Sequence, residues 1–119
     1  MNATYSAWHA FLWSECLEPG TRLSNDLLDR IRVDWLTFRE QAEAMGFDAV
    51  EHRAIAIDPI EGDEWDYAAH DFILTRNRHG AGFWDGGWHE PWGARLSKLA
   101  HTFPELETYV DDNDTLRLY

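Results

Sequence analysis

The chain has 119 residues, 45% hydrophobic and 27% charged, which is the balance of a folded soluble protein rather than a disordered one. Twenty-two Asp and Glu face ten Lys and Arg, giving a formal net charge of -12. That charge repels phosphate backbones, so it disfavours direct nucleic-acid binding and favours a basic partner, including the positive groove of a protein that itself binds nucleic acid.

The length fits one domain over residues 1–119. A single cysteine, Cys16, precludes an intramolecular disulfide and suits a reducing cytoplasm. No apolar run is long enough to span a bilayer, so no membrane role is expected. The opening "MNATYSAWHAFLW" lacks the basic start and small-residue cleavage site of a signal peptide.

In chain order, Tyr5, Trp8, Leu12 and Cys16 recur at helical spacing and predict a short amphipathic helix over 5–17, stopped by "EPG". Residues 24–46 predict the strongest helix. Ser24 or Asn25 caps it. Leu28, Ile31, Trp35, Phe38, Ala42 and Met45 form its stripe, with Leu27 and Leu36 widening it, and Gly46 ends it. "FDAVEHRAIAI" at 47–57 reads either as a short helix or as an extended segment. "DPIEGDEWD" at 58–66 reads as an acidic loop, and no Lys or Arg lies between Asp58 and Asp71.

"DFILTR" at 71–76 alternates apolar and β-branched groups on both faces and predicts a strand. "NRHG" predicts a turn, and "AGFWD" a returning strand with Gly82 at a bulge or close approach. Phe72, Leu74, Phe83 and Trp84 are expected in the core. Pro91 is expected to open a helix to about His101, with Leu96, Leu99 and Ala100 inward. "ETYV" and "LRLY" flank "DDND" as a C-terminal hairpin. The expected class is α+β, with N-terminal helices packed on a small antiparallel sheet of two hairpins and an intervening helix.

The stretch 70–93 gathers His70, Asp71, His79, Asp85, His89 and Glu90. Their spacing matches neither H-E-x-x-H nor C-x-x-C, and "HGAG" lacks the lysine of a phosphate-binding loop, so no metal and no cofactor is assigned. His79 with Asp85, or with Asp71 in its place, resembles a base and its orienter, but no nucleophile accompanies them, so no catalytic residue is assigned. Trp88 and Trp92 stand beside glycines as candidate interface anchors.

"HDFILTRNRHGAGFWDGG" resembles a motif of small bacteriophage and mobile-element proteins that reads approximately G-H-D-F-W-L-T-R-N-G-H-G-A-G-F-W-D-R. His70, Asp71, Phe72, Leu74, Thr75, Arg76, Asn77, His79, Gly80, Ala81, Gly82, Phe83, Trp84 and Asp85 match it. "LW" at 12 and 13 and "TYVDDNDTLRLY" near the end fit as well. Ile73, Arg78 and Gly86 depart from it, standing where Trp, Gly and Arg are usual. The match is close over about 18 residues and looser elsewhere.

The resemblance implies a phage or mobile-element accessory protein; the family carries no established activity. With the small size and the charge, it leads to the expectation of a non-enzymatic, anti-CRISPR-like inhibitor. Such a protein would act in the host bacterial cytoplasm as monomer or homodimer, binding a basic host protein or nucleic-acid-binding defence complex, its carboxylates either imitating phosphate spacing or simply occupying a positive groove. Expected contacts are Asp58, Glu61, Asp63, Glu64, Asp66, Asp111, Asp112 and Asp114, with Trp88 and Trp92 as anchors. The alternatives are a small hydrolase, metal-assisted or acid–base, built on His70, Asp71, His79 and Asp85, and a structural phage protein that self-associates through its tryptophans.

Overall fold

The computed structural model describes residues 20–55, 63–78 and 81–119. Within them the order is β1 (Arg22–Leu23), α1 (Asn25–Ala44), α2 (Ala49–His52), α3 (Glu64–Arg76), α4 (Trp92–Ala100), β2 (Thr108–Val110) and β3 (Thr115–Leu118). The chain is thus mixed α and β, four helices and one three-stranded sheet among the described residues. The helix expected over 5–17 lies outside them.

The longest predicted helix forms where its sequence signals place it. The Ser24 hydroxyl accepts the Leu27 amide at 3.2 Å, satisfying one of the free donors of the first turn. Leu27, Ile31, Trp35, Phe38 and Ala42 are buried, whereas Leu28 is half-buried and Leu36 and Met45 are exposed. Gly46, at φ +99°, closes the helix, and the Phe47 amide donates back to the Ala42 carbonyl at 3.0 Å. That reversal brings Phe47 into the core. The ambiguous segment after it becomes the short α2, capped by Asp48, followed by an isolated bridge between Arg53 and Trp88.

The central segment departs from expectation. "DFILTR" is not a strand but the second half of α3, and the described residues 81–85 hold no returning strand. An alternating pattern with apolar groups on both faces also suits a helix buried on every side, and Phe72 through Arg76 are all buried. The start of α3 also lies in the expected acidic loop. Asp63 Oδ1 accepts the Asp66 amide and Asp66 Oδ2 accepts the Asp63 amide, both at 2.9 Å, a reciprocal cap with two aspartates.

The C-terminal hairpin forms as expected, pairing Tyr109 with Arg117. The sheet is not purely antiparallel, because β1 joins β3 in parallel, giving the order β1-β3-β2.

The buried apolar side chains of the described residues form one cluster. Phe38 of α1 stacks on Phe72 of α3 at 4.4 Å and on Phe83 at 5.6 Å. A second aromatic group surrounds Phe47, with Trp65, Trp88 and Trp92 at 5.5, 5.5 and 5.3 Å.

Candidate functional site

The histidine–aspartate motif ties the fold together. Asp71 Oδ2 accepts the Trp88 indole N–H at 2.7 Å, which anchors the loop before α4 to α3. The Arg53 guanidinium stands 3.9 Å from the same carboxylate and lies over the rings of Tyr67 and Trp88, at 4.6 and 4.7 Å. Thr75 Oγ1 accepts the Phe83 amide at 3.2 Å. Gly82 is required there: its φ is +146°, and a Cβ would stand 2.2 Å from Thr75 Oγ1. Asn77 Oδ1 accepts the Leu106 amide at 2.8 Å, and Asp85 Oδ2 accepts the Gly82 amide at 3.0 Å.

Arg76 is the most consequential member. Its side chain is fully buried. Nη1 donates to Asp34 Oδ2 of α1 at 2.7 Å, and Nε and Nη2 donate to the Pro104 carbonyl at 3.1 and 2.9 Å. Burial lowers its pKa and the contact with Asp34 opposes the shift. One guanidinium thereby joins α1, α3 and the segment after α4.

The hydrolase arrangement can be compared with this geometry. His70 Nδ1 is 3.7 Å from Asp71 Oδ1, longer than a hydrogen bond, and Asp71 is engaged by Trp88. Asp85 is engaged by its own loop, and His79 lies outside the described residues. No group of three or more His, Cys, Asp or Glu among the described residues is placed to hold a metal ion.

The tryptophan assignments are exchanged. Trp88 and Trp92, expected as partner anchors, are buried at 3% and 7% exposure, whereas Trp84, expected in the core, is 44% exposed. The indole bond to Asp71 and the contacts with Phe47 draw Trp88 inward; Trp92 is the first residue of α4 and packs on Phe47 and His52.

The expected acidic contacts separate into groups. Asp58 and Glu61 lie outside the described residues. Asp66 is buried in the α3 cap, so it is not a surface contact; Asp63 is exposed but shares that cap, and Glu64 is half-buried. Asp111 accepts the amides of Asn113 and Thr115 at 2.8 and 3.0 Å and is bonded by Arg117. Asp112 and Asp114 are exposed, with no ion-pair partner among the described residues.

Charge is unevenly balanced over the surface. On α1, Arg30, Arg32 and Arg39 pair with Asp34, Asp29 and Glu43. No Lys or Arg occurs between Lys98 and Arg117, while Glu105, Glu107, Asp111, Asp112 and Asp114 do. Arg78 reaches Glu105 at 3.4 Å from outside the run. Exposed apolar groups lie within it, Tyr109 and Val110, and beyond Arg117 stands Tyr119, at 84% exposure, whose ring is 4.9 Å from that of Tyr109. Glu105, Glu107, Tyr109 and Tyr119 were not among the expected contacts. The absence of Lys and Arg from 99 to 116 is a visible signal for the first three. The hydrogen bond from Arg117 holds the Asp111 carboxyl below its ordinary value and raises Arg117 in return.

No described helix is long and apolar enough to cross a membrane. No protein-family model matches the chain, and neither a curated protein nor a solved structure matches it.

Proposed function

We propose that this chain is a non-enzymatic acidic binding protein that occupies the positive groove of a basic nucleic-acid-binding partner. Following the phage resemblance of the motif, that partner is a defence complex of the host bacterium, and the action is inhibition in its cytoplasm. The observation that carries the reading is the C-terminal acidic run, where Glu107, Asp112 and Asp114 have no ion-pair partner among the described residues while exposed aromatic groups stand beside them. Carboxylates of this kind attract a basic groove at long range, and aromatic rings add contact area. The use of Asp71, Thr75, Arg76 and Asp85 in structural bonds supports binding over catalysis.

The test is a tagged capture from host lysate at low and high salt, read by mass spectrometry, with the wild type and a Glu107→Lys, Asp112→Lys, Asp114→Asn variant. Asparagine is chosen at 114 because that residue has φ +57°, which Asn tolerates and Lys does not. A basic nucleic-acid-binding complex should be enriched by the wild type, released at high salt and lost in the variant. The same capture by both proteins, or none by the wild type, would refute this reading.

A further inference from the structure

We infer that the edge of β2 left unpaired among the described residues is a docking site for an extended peptide segment alternating basic and apolar residues, added as a fourth strand. The inference rests on the binding function proposed above and specifies the part of the partner that is engaged.

The sheet order is β1-β3-β2, so among the described residues β2 has a strand on one side only. Its register shows which backbone groups face the open side. Glu107 accepts the Tyr119 amide at 3.1 Å and the Asp111 amide donates to Thr115 at 2.9 Å, both toward β3. Tyr109, level with Arg117, has the same phase. Thr108 and Val110 are level with Leu118 and Leu116 in the alternate pairs, so their N–H and C=O groups point outward. Such an edge is a template for strand addition.

The side chains determine which peptide fits. Residues directly opposite one another on neighbouring strands share a face. A residue opposite Val110 joins the face of buried Leu116 and half-buried Leu118, and Val110 is 44% exposed where that apolar face ends. An apolar residue is suited to that position. A residue opposite Tyr109 joins the face of Glu107, Tyr109 and Asp111, on whose far side lie Tyr119 and Arg117, the latter already bonded to Asp111. An arginine there stands beside the Tyr109 ring, with the Glu107 carboxylate as its diagonal neighbour on the same face. A second copy of this chain is disfavoured, because pairing the two edges antiparallel about Tyr109 would set its Glu107 opposite Asp111 and its Asp111 opposite Glu107.

The probe is a short, capped, fluorescein-labelled peptide of alternating arginine and valine, with binding read by anisotropy. Val110→Pro removes an outward N–H while leaving the charge and the inner ladder, a substitution that an edge strand accommodates. Val110→Thr retains the N–H. The Val110→Pro chain should bind the peptide about tenfold more weakly, whereas Val110→Thr should bind like the wild type. The arginine–proline analogue, which retains charge but not the donors, should bind the wild type about tenfold more weakly, an arm that does not depend on any variant folding.

Equal binding by Val110→Pro with an unchanged thermal melt would overturn the edge as the site. Equal binding of the arginine–proline analogue would reduce the contact to charge alone. A dimer in sedimentation equilibrium that Val110→Pro dissolves would make a second copy the occupant and overturn the peptide. If no peptide binds while the lysate capture stays salt-sensitive and dependent on the acidic side chains, this inference fails and the proposed function stands.

Discussion

At the scale of single residues, burial determines which charges matter to the fold. Asp34 and Asp29 both sit on α1 and both pair with an arginine. Asp29 and Arg32 are widely exposed at 3.3 Å, a pair whose contribution is about 0–1 kcal/mol. Asp34 holds the fully buried Arg76 at 2.7 Å. Removing one member of a buried pair leaves an uncompensated charge and costs about 3–5 kcal/mol. Arg76 keeps the Pro104 carbonyl and cannot give up its proton, so the loss is not relieved by neutralisation. Asp34→Ala should therefore destabilise the fold by about 3 kcal/mol or more in urea titration, and Asp29→Ala by less than about 1 kcal/mol. Equal effects would show that the Arg76 link does not hold the helices together.

At the scale of elements, legibility followed the local chemistry. Helix α1 was readable because its cap, its apolar stripe and its terminal glycine agree, and one face alone is buried. The C-terminal hairpin was readable because "DDND" separates two β-favouring runs. Helix α3 was misread because it lacks a polar face over its second half: with Phe72, Ile73, Leu74, Thr75 and Arg76 all buried, no periodicity remains to separate helix from strand. Its start was overlooked because the reciprocal cap uses Asp66 where Glu or Gln is usual. The candidate site was legible only in its exposed carboxylates. Asp112 and Asp114 emerged from composition, but the positions of Trp84, Trp88 and Trp92 depend on long-range contacts that local spacing does not encode. If the cap starts α3 as its geometry indicates, Asp63→Ala should cost about 1 kcal/mol and Asp63→Ser much less, measured by chemical denaturation. No difference between the two would remove the cap as the cause of the helix start.

At the scale of the whole molecule, two electrostatic effects oppose each other, and their ranges determine which wins in salt. The net charge of -12 is a long-range self-repulsion among exposed carboxylates. The ion pairs are short-range, and the one that contributes most, Arg76 with Asp34, is shielded from solvent. Salt screens exposed charges beyond a Debye length of about 8 Å at physiological ionic strength and leaves buried pairs nearly untouched. Added sodium chloride at neutral pH should therefore raise the melting temperature, and a fall would mean that the surface pairs of α1 outweigh the repulsion. Acid relieves the same repulsion by a different route. The sequence pI is near 4.7, whereas Asp111 is held below its ordinary value of 3.8 by Arg117. A carboxyl depressed by folding contributes stability that is fully present above its unfolded pKa and is lost as pH falls through the folded one. The C-terminal hairpin should thus remain paired as the molecule is brought to its pI and loosen only in stronger acid. Nuclear magnetic resonance of the Asn113 and Thr115 amides, both bonded to Asp111, would follow that step, and loosening at or above pH 4.7 would contradict it.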